Sequence, residues 1–317
     1  MTLEQLRIFV AVAERQHVTR AAHALNLAQS AVSASIAALE ERHATRLFDR
    51  VGRGIALTEA GRLFVAEAKA VLARAAAAER VLSELGGLVR GTLAVQASHT
   101  IAGYWLPRHL ADFRRSHPGI AVRLSLGNTL QVAQAVHDGA AELGFVEGDI
   151  DDPALTGAPV ARDQLVIVVA PNHPWAARAV TTGDLLHADW VMREPGSGTR
   201  STFEAALQRL GLSPADLSVV LELPSNEAVR AAAEAGLGAA VMSASVAAPA
   251  LEAGLLHRVA LPLAERPFSA VWHRERYLGH AARALLGRIA ATLPPAQRPS
   301  LPAATAALHD RGNAGGA

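Results

Sequence analysis

The feature that most constrains this fold is an alternation of short apolar runs with helical stretches between residues 91 and 289. The apolar runs predict strands, and they are GTLAVQAS, IAVRLSL, AELGFV, QLVIVVA, ADWVM, LSVVLEL, GAAVMSA and PFSAVWH. Strands that alternate with helices form α/β architecture with largely parallel sheets. The alternation runs once to about residue 160 and again from about residue 162, which predicts two similar lobes.

The last strand and helix suit a return of the chain to the first lobe, so we place crossovers near Ala161 and Arg266. The resulting two-lobed domain spans residues 90–292. Lobe I comprises residues 90–161 and 266–292, and lobe II comprises residues 162–265. The chain after Leu293 is rich in Pro, Ala and Gly, so we expect residues 293–317 to form a disordered tail.

Residues 1–57 predict a winged helix-turn-helix made of short helices and a glycine-rich hairpin. In the third helix, Val32, Ile36 and Leu39 are spaced to share one buried face. Asn26 lies in the turn before that helix, where Asn tolerates a left-handed backbone. The segment LFDRVGRGIALT then predicts a strand, a turn and a second strand.

The outward face of the third helix, together with the hairpin, supplies candidate contacts to DNA. These candidates are Gln29, Ser30, Ser33, Ala34, Arg50 and Arg53. Small side chains let a helix sit deep in the major groove, Gln can pair with an adenine edge, and Arg can reach phosphates or the minor groove. The alternative is an ordinary three-helix unit with a solvated serine-rich face, and the helix pattern alone leaves both open.

Residues 58–89 predict a linker helix with a seam of apolar residues that step by four and three. The seam consists of Phe64, Ala68, Val71, Ala75, Ala78, Leu82 and Leu85. This heptad spacing favours a dimer helix, for which the candidate contacts are Phe64, Val71, Ala75, Ala78, Leu82 and Leu85. The alternative is a single alanine-rich helix packed on its own chain.

Three stretches of the first 65 residues resemble the LysR-type transcriptional regulators. They are LEQLRIFVAVAE, TRAAHALNLAQSAVSASIAALE and RLFDRVGRGIALTEAGRLF. The density of matches over about sixty residues selects the DNA-binding interpretation. The sequence departs from the family pattern at Thr19, Ala28, Ser35 and His43-Ala44, so the operator sequence stays open.

The resemblance continues more loosely to about residue 292 and implies an effector domain similar to periplasmic binding proteins. It also implies a dimer formed through the linker helix, usually assembled into a tetramer as a dimer of dimers. The implied partners are double-stranded operator DNA and a small effector that modulates operator binding or DNA bending, and a contact with RNA polymerase is allowed.

A glycine-rich loop before a predicted helix is the strongest ligand-binding candidate in the second half. Its residues are Gly196, Ser197, Gly198, Thr199 and Arg200. Glycines let backbone N–H groups turn inward, and a helix N-terminus carries partial positive charge, so such a loop can hold an anion. The alternative is a plain helix cap in which Ser201 and Glu204 form a capping box.

Three further polar turns follow predicted strands and open predicted helices. They contain Ser98, His99, Thr100, Asn128, Thr129, Ser225 and Asn226. In open α/β sheets such turns gather at the carboxyl edge of the strands, so we expect one ligand cleft. Glu147 should lie near this edge and would repel an anion unless it pairs with Arg200 or another base, or takes a proton from the ligand. The alternative for Glu147 is a solvated loop residue.

The effector class follows from a second resemblance. The stretches GSGTR and SNEAVRAAAEAGLGAAVMS are similar to the branch of the family that includes regulators of sulfur assimilation and carbon fixation. This branch implies a small anion: a sulfur oxyanion, a phosphorylated metabolite or a carboxylate. We expect no other cofactor and no metal.

Other classes of protein are disfavoured. The chain has no cysteine, which removes disulfides, thiol nucleophiles and cysteine-ligated zinc. It has no common hydrolase, phosphate-loop or dinucleotide motif that would indicate an enzyme. A charged N-terminus and the lack of an 18-residue apolar run predict a cytoplasmic protein without a membrane partner. The alternatives left open are a constitutive DNA-binding regulator with a non-sensing cleft, a solute-binding protein and an enzyme.

Overall fold

The computed structural model describes residues 1–52, 54–85 and 91–295. This part of the chain forms two compact units, an N-terminal one and a C-terminal one that holds almost all residues from 91 onward. Apart from its first residues, the expected disordered tail lies outside the described residues. None of the helices described is both long enough and apolar enough to cross a membrane.

The N-terminal unit is a winged helix-turn-helix, as the sequence predicts. Its elements are α1 (Leu3–Arg15), α2 (Val18–Leu25), α3 (Gln29–Arg42), β1 (Phe48–Val51) and β2 (Gly54–Leu57). Val32, Ile36 and Leu39 lie on the buried face of α3 and join Phe9 in one apolar core. Asn26 ends α2 in the left-handed conformation with φ 55°, which allows the tight turn into α3.

A continuous helix, α4 (Glu59–Leu85), follows the hairpin. Its first turns pack on their own unit, because the ring of Phe64 lies 4.9 Å from the ring of Phe9 and Ala68 is completely buried. Phe64 was predicted to face a partner helix, and the structure corrects this prediction. The heptad spacing located the apolar seam but could not show that α1 covers its first part.

The later part of the α4 seam is more open. The side chains of Val71 and Leu82 are 41% and 70% exposed, and Ala78 is also exposed. Ala75 is partly buried. The side chain of Leu85 lies outside the described residues. The exposed positions are apolar over several turns, so this stretch of α4 leaves apolar surface uncovered by its own chain.

The C-terminal unit alternates strands and helices. Its first elements are β3 (Gly91–Ser98), α5 (Leu106–Ser116) after a π-helical turn, β4 (Ile120–Gly127), α6 (Thr129–Asp138), β5 (Leu143–Glu147) and β6 (Leu155–Val169). Then follow β7 (Asp189–Arg193), α7 (Gly198–Arg209), β8 (Ser218–Leu223), α8 (Asn226–Glu234), β9 (Ala239–Ser243), α9 (Ala244–Glu252), β10 (His257–Arg258), β11 (Glu265–His273) and α10 (His280–Ala291). Each of the eight predicted apolar runs forms a strand, whereas α9 and β10 were not predicted.

The strands pair in the order β4-β3-β5-β11-β6-β9-β7-β8, and β10 pairs with β6. The outer neighbours on both sides are parallel, as the strand-helix alternation predicts. The central pairs of β11 with β5 and β6, and of β6 with β9, are antiparallel. The centre is antiparallel because β6 and β11 carry the chain between the two halves in opposite directions.

The two largest apolar cores of the C-terminal unit lie on either side of the β6–β11 pair. One core draws on residues from Leu93 to Val160 and on the last strand and helix. The other draws on residues from Leu165 to Leu263. Between them, Asp163 of β6 lies opposite Arg266 of β11. The fold is therefore the two-lobed α/β architecture that the sequence predicts, with its strands crossing at these two polar residues.

Candidate functional site

The outward face of α3 carries the residues predicted to read DNA. Gln29, Ser30 and Ala34 are exposed, and Ser33 is partly buried. The amide of Gln29 lies 3.5 Å from the hydroxyl of Ser33. The face is therefore polar, shallow and free of large side chains, which is the surface that a major groove admits.

The hairpin is fixed to α3 by a residue that sequence reasoning did not assign a role. The carboxylate of Glu40 accepts hydrogen bonds from the backbone N–H groups of Leu47, at 2.7 Å, and Phe48, at 3.1 Å. Arg50 lies exposed on β1, and Arg53 lies outside the described residues. Glu40 thus fixes β1, and with it Arg50, relative to α3.

The four predicted turns meet at one edge of the C-terminal unit. Thr100, in the turn after β3, accepts a hydrogen bond of 2.9 Å from the amide of Asn226, at the start of α8. Asn128, in the turn after β4, donates to a carboxylate oxygen of Glu194 at 3.1 Å. The turns of lobe I therefore touch those of lobe II, and three of these side chains, those of Thr100, Asn128 and Asn226, are buried.

The backbone of the glycine-rich loop is in direct contact with the backbone of lobe I. The carbonyl oxygen of Gly196 accepts a hydrogen bond from the N–H of Leu130 at 3.2 Å. A Cβ atom on Gly198 would lie only 2.1 Å from the carbonyl oxygen of Glu147, so any larger residue would push the two segments apart. That same carbonyl oxygen accepts a hydrogen bond of 2.7 Å from the hydroxyl of Thr129. The start of α7 thus packs tightly on the end of β5.

The alternative interpretation of this loop as a plain helix cap is wrong. Helix α7 begins at Gly198 with Ser197 at the cap position, and no side chain caps it. The hydroxyl of Ser201 bonds to the carbonyl oxygen of Gly198, and Glu204 binds Arg200 instead of a backbone N–H group. Ser197 and Thr199 are both buried. A buried helix N-terminus therefore lacks the side-chain acceptor that normally satisfies it.

Arg200 is directed away from the cleft, contrary to its predicted role. Its Nε donates to Glu204 at 2.7 Å, and its Nη1 donates to the backbone carbonyl of Arg193 at 3.0 Å and to the carboxylate of Glu222. These bonds hold the first turn of α7 against β7 and β8. The sequence could not show this, because Glu222 is 22 residues away along the chain and meets Arg200 only in the folded unit.

Two buried arginines that sequence reasoning missed lie beside these turns, each paired with a carboxylate. Arg193 is 5% exposed and binds the carboxylate of Glu194 through Nε at 2.8 Å and Nη2 at 3.0 Å. Its Nη1 donates to the amide oxygen of Asn226. Burial raises the pKa of Glu194, but the bonds and charge of Arg193 outweigh it and hold that pKa below its ordinary value.

Arg266 forms the second charged cluster, at the strand crossover. It is 2% exposed and binds Asp163 through Nε at 2.9 Å, while its Nη1 donates to the hydroxyl of Thr199 at 3.2 Å. Asp163 also accepts a 2.6 Å hydrogen bond from Ser243. The cluster thus joins β6 and β11 to the first turn of α7 and to the last residue of β9.

Glu147 is neither a solvated loop residue nor a partner of Arg200. It ends β5, its side chain is 3% exposed, and its Oε1 lies 3.8 Å from Nη2 of Arg266. This separation is an ion pair but too long for a hydrogen bond. The solvated-loop alternative is therefore wrong, and the other base that the sequence left unnamed is Arg266.

The remaining predicted residues differ in their surroundings. Ser98 is 3% exposed, and its Oγ has no hydrogen-bond partner among the described residues. His99 is partly buried. Ser225 caps α8 by accepting a 3.1 Å hydrogen bond from the N–H of Ala228, so its hydroxyl oxygen already serves the helix.

A pocket of about 220 Å³ opens elsewhere, beside the β5–β6 connection. None of the residues predicted to bind an effector lines it. One of its acidic residues, Asp152, is already bound to His137 at 2.8 Å and to the N–H of Ala154. We favour the edge where the four turns meet, because the buried hydroxyl of Ser98 lies there without a hydrogen-bond partner among the described residues, whereas Asp152 of the pocket is already paired.

A winged helix-turn-helix in one unit and polar turns that meet across two α/β lobes in the other define a DNA-binding regulator with an effector-binding domain. Residues 3–62 match the model of the bacterial regulatory helix-turn-helix protein, lysR family, and residues 86–294 match the LysR substrate binding domain. The chain belongs to the LysR family of transcriptional regulators, which places it among regulators and not among enzymes.

Individual relatives agree with this assignment. The chain is 37% identical to the uncharacterized HTH-type transcriptional regulator YeiE of Escherichia coli K12, over 90% of this chain and 96% of the relative. It is 33% identical to a probable RuBisCO transcriptional regulator of Cyanophora paradoxa, over 89% of each chain. The crystal structure of CbnR, a LysR family regulator, shares the fold with a TM-score of 0.67 at 22% identity, over 91% of this chain and 98% of CbnR.

Proposed function

We propose that a small anion binds where the four turns meet and that its binding changes how the protein engages operator DNA. The observation that carries this proposal is Ser98, a buried hydroxyl without a hydrogen-bond partner among the described residues. An unsatisfied buried polar group costs about 1–3 kcal/mol. A ligand oxygen that accepts from this hydroxyl removes that cost.

The start of α7 gives the site its preference for negative charge. Its N-terminal N–H groups receive no side-chain cap, although Ser197 and Thr199 are buried there. Aligned peptide dipoles place partial positive charge at a helix N-terminus, which favours anions. The buried arginines are already paired, Arg193 with Glu194 and Arg266 with Asp163, so helix dipole and hydroxyls supply the attraction.

Contacts across the lobes connect ligand binding to conformation. Thr100 and Asn128 belong to lobe I, whereas Asn226 and Glu194 belong to lobe II, and the two sets are hydrogen-bonded to each other. A ligand shifts a conformational equilibrium only by its difference in affinity for the two states. An anion that contacts both lobes has such a difference, because it binds more strongly when the lobes are close.

The class of anion stays broad: a sulfur oxyanion, a phosphorylated metabolite or a small carboxylate. The similarity to the Cyanophora relative, a probable RuBisCO transcriptional regulator, supports a metabolite of carbon fixation. The hydroxyl and N–H donors at the cleft do not by themselves choose among these oxyanions.

The DNA-binding surface and the assembly complete the proposal. Gln29, Ser30, Ser33 and Ala34 read base edges, and Arg50 contacts phosphate. Two copies associate through the exposed part of the α4 seam, where Leu82 is 70% exposed, and the dimers pair into tetramers. The heptad spacing supports a helix pair, because apolar residues at that spacing bury one another only against a second helix.

The test of the cleft is a binding titration of the full chain against sulfate, thiosulfate, phosphate and small carboxylates. We compare the wild type with Ser98→Ala and with the control Ser213→Ala, whose exposed hydroxyl caps no helix. We expect at least one anion to bind the wild type and the control, and to bind Ser98→Ala about 5- to 15-fold more weakly, the loss of one hydrogen bond. If no anion binds, the proposed anion site is wrong, and the protein either senses a different ligand or has a cleft that does not sense.

The test of the helix is an operator-binding titration with Ser33→Arg and Gln29→Ala. Each should weaken specific binding by about 10-fold or more, because one good base contact contributes about 1–3 kcal/mol of discrimination. Both variants should keep the oligomeric state of the wild type by light scattering, since α3 is separate from the exposed part of α4. Unchanged operator affinity in both variants would refute the assignment of α3 as the reading helix.

A further inference from the structure

Glu147 has chemical surroundings that restrict the effector further. Its side chain is 3% exposed, yet its carboxylate accepts no hydrogen bond from any described residue. Its carbonyl oxygen accepts from the hydroxyl of Thr129, whereas no described residue donates a hydrogen bond to its two carboxylate oxygens. A buried carboxylate is normally stabilised by two or more hydrogen bonds or by a close cation.

Arg266 does not supply what Glu147 lacks. Its Nη2 is 3.8 Å from the carboxylate of Glu147 but 2.8 Å from that of Asp163, and its Nη1 donates to Thr199. One arginine therefore stands between two carboxylates and leaves a net charge of −1 at the crossover. A fully deprotonated anion bound nearby would add a second like charge at low dielectric, which opposes its binding.

Glu147 is close enough to the cleft to meet the ligand. Thr199, in the first turn of α7, and Glu147 share Arg266 as a neighbour. The backbone of Gly198 packs directly on the carbonyl of Glu147. An anion held by the N-terminus of α7 thus lies beside this carboxylate.

We infer that the effector carries a hydrogen-bond donor, an O–H or N–H group, in addition to its anionic oxygens, and that Glu147 accepts from this donor. This inference rests on the proposed anion site. The chemistry is that of a proton-bearing anion, such as hydrogen phosphate or a hydroxy acid. The donor satisfies the carboxylate of Glu147, while the anionic oxygens face Ser98 and the start of α7. An anion without a proton meets the same carboxylate as a repulsive charge.

The experiment compares pairs of anions that differ in the donor. Phosphate retains a proton at neutral pH and sulfate does not, although both are tetrahedral. Glycolate has a hydroxyl that acetate lacks. Affinities for all four are measured by calorimetry with the full chain. For the wild type we expect the donor-bearing member of at least one pair to bind about 10- to 100-fold more tightly, the effect of one hydrogen bond to a charged group.

The variant Glu147→Gln removes the charge at almost constant size. It should raise the affinity for the donorless anion and reduce the ratio within the pair to about 3-fold or less. The control Glu265→Gln, at an exposed carboxylate on β11, should keep the wild-type ratio. Tryptophan fluorescence checks that both variants are folded.

Two results would overturn the inference. One is equal affinity of the wild type for both members of each pair. The other is a ratio that Glu147→Gln leaves unchanged. If either occurs while Ser98→Ala still weakens anion binding, the proposed anion site stands and only the donor requirement fails. If none of the four anions binds the wild type or Glu147→Gln, both proposals fail.

Discussion

Replacing Arg266 by Leu tests the strand crossover most directly. The guanidinium is 2% exposed and is bound to Asp163, with Thr199 and Glu147 as further neighbours. Its removal leaves two buried carboxylates without a cation. Breaking a buried ion pair in this way costs about 3–5 kcal/mol. This is a large share of the roughly 5–15 kcal/mol that stabilises a whole domain.

The assay is urea unfolding of the full chain followed by tryptophan fluorescence. All four tryptophans lie in the C-terminal unit, so the signal reports that unit alone; they are Trp105, Trp175, Trp190 and Trp272. With a slope of about 2–3 kcal/mol per molar urea, the expected loss lowers the midpoint by about 1–2 M.

Two variants keep this measurement interpretable. Arg162→Leu, on the neighbouring strand β6, removes an arginine whose side chain is 72% exposed and should cost less than about 1 kcal/mol. Arg266→Leu combined with Asp163→Leu should lose less stability than the sum of the two single variants, because each single change leaves an unpaired charge. If Arg266→Leu shifts the midpoint no more than Arg162→Leu does, the crossover cluster does not stabilise the domain.

Two further predictions concern stability. Burial lowers the pKa of His109, and the nearby Arg108 lowers it further, so below its ordinary pKa the unfolded chain binds more protons there than the native one. The free energy of unfolding should therefore fall as the pH drops from about 6.5 toward the lowered pKa of His109. Urea midpoints measured across that range should fall less in His109→Gln than in the wild type. An identical pH dependence of the two proteins would contradict this. Gly198→Ala should destabilise the C-terminal unit by about 1–3 kcal/mol, because its Cβ would meet the carbonyl of Glu147, whereas Gly103→Ala, with no neighbouring atom within 4 Å, should not. Equal urea midpoints for the two glycine variants would rule out the tight contact.

The elements of this fold were largely predictable because their signals are local. Buried parallel strands appear as apolar runs, and each of the eight runs became a strand. The four polar turns were also predictable, since a parallel sheet places every strand-to-helix turn at one edge. These local patterns could not indicate what each element packs against. The heptad position of Phe64 predicted a contact with a second chain, but Phe9 of the same chain packs on it.

The charged residues of the cleft were missed for the same physical reason. Asp163 lies in the segment ARDQ and Arg266 in the segment AERP, and both segments are polar and resemble exposed strand ends. They become buried only because β6 and β11 pair antiparallel, which brings together two residues that are 103 positions apart in the chain. Arg200, by contrast, stands within the glycine-rich motif and was assigned to the ligand, but Glu204 and Glu222 draw it to the outer side of α7. A loop motif therefore predicts where backbone N–H groups gather. Only the contacts between distant strands decide which charged side chains become buried near it, as Arg266 does beside Asp163 and Glu147.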